Sequence, residues 1–161
     1  MTVLFLALIS MAKLLYDSPY CKNAIAVVTF RCYISDDGVD QIGLWYDAQS
    51  EALQADLLAV MATLEAIARQ DNWPESCFKE LEDRKGSPCE GLIELILKDN
   101  GTQYRIFGFF GPDDDDFTML LPLRKSDDPK YRRSCKEAQR KKAEVVHDWT
   151  RARRWEAPQS N

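Results

Sequence analysis

The stretch Gly91–Lys125, GLIELILKDNGTQYRIFGFFGPDDDDFTMLLPLRK, decides the fold. It holds three apolar, alternating runs separated by two polar breaks, Lys98–Gln103 around Asp99-Asn100-Gly101, and Gly111–Asp116. Asn and Gly tolerate positive φ and Pro fixes its own, so both breaks are turn chemistry and the runs read as successive antiparallel strands. In the first run Ile93, Leu95 and Leu97 share one face, with Glu94, Ile96 and Lys98 on the other. In the second, Arg105, Phe107 and Phe109 oppose Tyr104, Ile106 and Phe110. A meander of this kind is a rigid floor. Basic groups stand on it at two places, Arg105 early in the middle strand and Arg124-Lys125 as the third strand ends, with Pro122 suiting that end.

Upstream, Ala24–Ile34 is rich in β-branched and aromatic residues and reads as a first strand, broken by Asp36-Asp37-Gly38. From Val39 the pattern turns helical, with Asp36 or Asp37 available as N-cap and Ile42 and Trp45 on one face. A second helix starts near Ser50, and its stripe of Leu53, Leu57, Val60, Met61, Leu64, Ile67 and Ala68 is a core face. Asn72-Trp73-Pro74 ends it. Cys77–Leu81 reads as a short edge strand, followed by the loop Arg84–Pro88.

Downstream, Asp127-Asp128-Pro129 starts a helix running to about Val146, with Lys130, Arg133, Lys136, Arg140 and Lys141 on its exposed side and His147 near its end. Residues 149–161 read as a frayed, basic to polar tail. At the other end Met1–Ala12 is apolar, has no basic n-region and is too short to span a bilayer, which takes about 20 residues. It is expected to lie outside the functional core, with Met11 as an alternative start.

The net charge of −5 hides an asymmetry: residues 1–121 carry 9 basic and 20 acidic groups, residues 122–161 carry 12 basic and 6 acidic. A basic quarter on an acidic body can turn one positive surface to a polyanion; the alternative is a solvated, salt-bridged helix. Five cysteines, an odd count without a CxxC pair, fit a reducing cytoplasm better than a disulfide scaffold. No metal or other cofactor is expected. The single histidine has no finger spacing to the cysteines, and Asp113–Asp116 lacks the alternating ligands and distal Glu of a calcium loop, so it reads as a solvated turn.

Gly91-Leu92-Ile93-Glu94-Leu95, then Tyr104-Arg105-Ile106 one hairpin later, then a basic pair after an apolar strand, resembles the RelE/HigB superfamily of toxin–antitoxin toxins. The resemblance implies an α+β RelE-like fold over residues 24–148, in which an N-terminal helix pair packs on a twisted antiparallel sheet, followed by the basic C-terminal helix. It also implies cleavage of mRNA in the ribosomal A site and restraint by a small antitoxin, often of helix-turn-helix type. Tyr104-Arg105 matches the family's middle-strand pair and Arg124-Lys125 its basic residues after the last strand. Two departures stand out: Ile96 occupies a position where the family usually has a cation, and the body of the chain is acidic where such toxins are usually basic.

Cleaving RNA by its own 2′-OH requires in-line alignment and stabilisation of a dianionic phosphorane. Arginine suits the second task, because its planar fork binds two phosphate oxygens and stays protonated. Arg105, Arg124, Lys125 and Tyr131 are the candidate catalytic residues, Tyr131 by stacking on a base or offering its hydroxyl. Lys98, Tyr104, Arg133, Lys136, Arg140 and Lys141 are candidates for RNA or ribosome contact. The competing reading of Arg105 is a cross-strand ion pair with Glu94.

Overall fold

Asn100 at φ 46° and Gly101 at φ 77° make the tight turn that the Asp-Asn-Gly break called for. Around this hairpin the computed structural model describes residues 27–67, 73–81, 86–125 and 128–157. In chain order the elements are β1 (Thr29–Tyr33), α1 (Gln41–Asp47), α2 (Glu51–Glu65), β2 (Phe78–Glu80), β3 (Ile93–Asp99), β4 (Thr102–Phe110), β5 (Asp116–Arg124), α3 (Asp128–His147), a 3-10 turn (Trp149–Arg151) and β6 (Ala152–Arg154). The leader, Ala68, the loop residues Arg84 and Lys85, and Asp127 as a cap lie outside the described residues.

The strands form one six-stranded sheet in the order β2-β3-β4-β5-β1-β6. All neighbouring pairs are antiparallel except β1 with β5, which run parallel. The protein is thus an α+β domain with helices packed on a mostly antiparallel sheet. Ile93, Leu95, Leu97, Ile106, Phe117 and Met119 face α1 and α2, burying Ile42, Leu53, Leu57 and Leu64. Phe107, Phe109 and Leu120 face α3, against Cys135, Ala138 and Val145. A bulge between Phe107 and Gly108 changes the register with β5, so that Leu120 and Leu121 both turn toward α3. Gly108 is required there, since a Cβ would stand 2.5 Å from the Phe117 ring.

Local chemistry sets the helix starts. Ser50 accepts a hydrogen bond from Leu53 N at 3.2 Å, and α1 is capped by Asp40, which accepts from Gly43 N at 2.8 Å. The cap is therefore Asp40, not Asp36 or Asp37, because Ser35–Val39 closes its own turn first. Pro122 lies inside β5 opposite Ile106; β1 pairs with β5 only as far as Met119, so the missing N–H faces no partner strand.

Three expectations are corrected. The tail is not frayed from residue 149: β6 pairs antiparallel with β1, Trp155 is buried, and its ring meets Tyr46 edge-on at 5.5 Å. The cysteines are not all free: Cys89, in the turn before β3, is bonded to Cys135 of α3 across a sequence separation of 46. That pairing is set by topology, which lays α3 over the start of β3, and closing such a loop contributes about 4 kcal/mol on a chain-entropy account. The acidic run is not wholly solvated: Asp116 is buried and accepts from Arg31 Nε at 2.5 Å. Among the described residues no group of acids, cysteines or histidines could hold a metal ion, and no helix is long and apolar enough to cross a membrane.

Candidate nucleic-acid interface at the end of the sheet

The register of β3, β4 and β5 places every predicted sheet residue. Ile96 opposes Arg105, and Arg105 opposes Leu123; one pleat outward, Lys98 opposes Gln103, whose carbonyl accepts from Lys125 N at 2.9 Å. Lys98, Gln103 and Lys125 therefore form an exposed row across three strands on the α3 side, with Arg105 one pleat further in. Tyr104 opposes Arg124 on the other face, where Tyr104 packs beside Trp45 with ring centroids 6.4 Å apart. Arg105 and Arg124 thus do not form one clamp. Lys98, Arg124 and Lys125 are all exposed and make no side-chain ion pair among the described residues.

Arg105 is only 5 % exposed, because alternation puts it on the same face as Phe107 and Phe109, which α3 covers. Its guanidinium is largely committed. Nη1 donates to the Tyr104 carbonyl and Nη2 to Gln103 Oε1, each at 2.8 Å. Nε lies 3.3 Å from Glu94 Oε1, near enough for an ion pair but off-angle for a hydrogen bond. The competing reading of Arg105 is therefore correct in substance, although the pair is diagonal: Glu94 stands opposite Phe107.

Glu94 is 6 % exposed, and its second oxygen accepts from Tyr131 Oη at 2.7 Å. The Tyr131 ring meets Phe107 edge-on at 5.2 Å. Burial first, and the bond to Glu94 second, push the Tyr131 phenol well above its ordinary range, so it is a proton donor here and not a base. α3 thereby lays Tyr131 over the buried pair of Arg105 and Glu94, with the exposed Gln103 at its outer edge; the sequence singles out Arg105 and Tyr131 and offers Glu94 only as an ion-pair partner.

On α3, Lys130, Arg133, Lys136 and Arg140 are exposed as expected. Lys141 is not. It is 1 % exposed and occupies the inner stripe between Ala138 and Val145, with Nζ bonded to Gln41 Oε1, 3.3 Å from the Leu120 carbonyl and 3.4 Å from Glu137. Burial lowers its pKa. Lys141 is therefore a structural tie between α3, β5 and α1, and not one of the solvent-facing candidates for RNA contact. A cleft of about 620 Å³ between α2 and the ends of β1 and β6 shares no lining residue with the predicted site.

The chain matches no protein-family model, no curated protein and no solved structure.

Proposed function

We propose that the protein is a toxin of RelE/HigB type, an endoribonuclease that acts in the cytoplasm on ribosome-bound mRNA and is restrained by an antitoxin. The observation that carries the reading is the set of exposed cations at one end of the sheet, Lys98 and Lys125 on the α3 face beside Arg105, and Arg124 on the opposite face of the same end. An N-terminal helix pair on a mostly antiparallel sheet is also what the resemblance implied. A phosphate seated on the α3 side meets Lys98 and Lys125 first, with Gln103 between them. The mRNA 2′-hydroxyl gives up its proton to water as its oxygen attacks phosphorus, the P–O5′ bond breaks, the departing 5′-oxygen takes up a proton from water, and the products are a 2′,3′-cyclic phosphate and a 5′-hydroxyl. Lysine ammonium groups offset the charge of the phosphorane, and the ribosome supplies the in-line geometry so sparse a site lacks. Lys130, Arg133, Lys136 and Arg140 on α3 give an acidic body a basic surface for ribosomal RNA.

One observation favours a second reading, a non-catalytic protein of the same fold that docks an antitoxin or other partner. Arg105 is tied to Glu94 and Gln103, and Ile96 leaves the position across from it without a cation. Induced expression separates the two. The toxin arrests growth, and co-expression of a neighbouring helix-turn-helix partner relieves the arrest. Unaffected growth, with the partner still bound, supports the docking protein.

A further inference from the structure

The bond between Cys89 and Cys135 joins the same two segments as the hydrogen bond between Tyr131 and Glu94. Cys135 lies one helical turn after Tyr131 on the inner face of α3, and Cys89 lies in the turn that feeds β3 just before Glu94. We propose that this disulfide is a redox clamp over the candidate site: closed, it holds the first turns of α3 across Glu94 and Arg105; opened by a dithiol, it lets those turns lift and uncovers the Arg105 side chain. The proposal rests on the reading that Arg105 belongs to an RNA site.

The two halves of α3 are held differently. The second half is tied down by Lys141, by Val145 in the core, and by Glu144, which accepts from Tyr33 and pairs with Arg151. The first half has Tyr131 and the disulfide; in the second half, Gln139 donates to the Glu90 carbonyl at 2.5 Å and Lys142 to the Gly91 carbonyl at 2.9 Å, both in the turn before β3. Both of those bonds end on the segment that carries Cys89. The first half also bears Lys130, Arg133 and Lys136, spaced three apart, with no acid among residues 130–136. Like charges three and four apart on a helix oppose it, and the disulfide holds the turns in place against that repulsion.

The chemistry balances with a dithiol as reductant. Cys135 is fully buried and Cys89 partly exposed, so a thiolate attacks Cys89 Sγ, forming a mixed disulfide and expelling Cys135 as a thiolate that takes up a proton. The second thiol of the reagent then closes its own disulfide and releases the Cys89 thiol. Two electrons pass from the reagent to the protein.

Hydrogen exchange on the full chain, oxidised or treated with dithiothreitol, tests the clamp, with Cys89→Ser as a permanently open form. The clamp predicts roughly tenfold faster exchange in residues 129–138 on reduction, the same fast rate in Cys89→Ser with or without reductant, and little change in residues 141–147 and in β4 and β5. No change, or an equal rise across α3 and the sheet, overturns it, the second because the bond is then only a general staple. Binding of a short single-stranded RNA is measured on the same samples. If the local opening occurs and RNA binding stays the same, the clamp stands and the assignment of Arg105 to an RNA site fails.

Discussion

Arg105 and Arg124 stand on adjacent strands but on opposite faces of the sheet. Arg105 shares the α3 face with Leu123 and Phe107, whereas Arg124 lies across from Tyr104 on the face of α1 and α2. The two arginines share no partner, so they answer to substitution separately. Arg105→Ala leaves Glu94 buried without its cation and is expected to cost about 3 kcal/mol or more. Arg124→Ala is expected to stay within about 0.5 kcal/mol. Urea unfolding of both single variants and of the double checks this, the double being additive within about 0.5 kcal/mol.

Tyr131→Phe removes one of the two groups that hold Glu94 and should destabilise by about 1–3 kcal/mol, since a buried carboxylate oxygen loses its donor. It should also change the alkaline limb. The folded phenol titrates above the unfolded one, so its contribution is fully present below the unfolded pKa near 10 and is lost as pH rises toward the folded value. Cys32, pushed up to about 12 chiefly by burial, acts in the same direction above its ordinary value of 9.0. Stability measured from pH 8 to 11 should therefore fall, and Tyr131→Phe should remove the slope of one titrating group.

Lys141→Ala is expected to cost about 2 kcal/mol, because Gln41 and the Leu120 carbonyl lose a buried donor, whereas Lys136→Ala should be near neutral. Thermal unfolding of the two variants side by side distinguishes the tie from the solvated cation.

Much of this was legible where the determinants are local. Asn100-Gly101 specified the β3–β4 turn, Ser50 capped α2, and alternation assigned the faces of β3 and β4. Two misplacements were also readable. Arg105 alternates with Phe107 and Phe109, which marks its face as buried, and Lys141 falls three after Ala138 and four before Val145, on the inner stripe. The remainder depends on residues far apart in sequence. The parallel pairing of β1 with β5 spans the meander, β6 is three residues that become a strand only because the edge of β1 receives them, and Cys89 meets Cys135 only after α3 folds back.

Single-stranded RNA held by Lys98, Arg124 and Lys125 should bind with a log-affinity that falls by about 0.7 per log unit of salt for each phosphate neutralised. Replacing all three by Ala should lower that slope by about 2, with little effect on folding because all three are exposed. An unchanged slope in a titration from 50 to 300 mM salt removes this end of the sheet from the interface.

The most direct measurement is primer extension on mRNA bound to translating ribosomes, with wild type, the Lys98/Arg124/Lys125 triple alanine variant, and Ile96→Arg. Cleavage of ribosome-bound mRNA by the wild type, none of free RNA, a loss of roughly 10²–10³ in the triple variant and a gain in Ile96→Arg are predicted. Intact ribosome-bound mRNA with both the wild type and Ile96→Arg would contradict the enzyme and leave the docking protein.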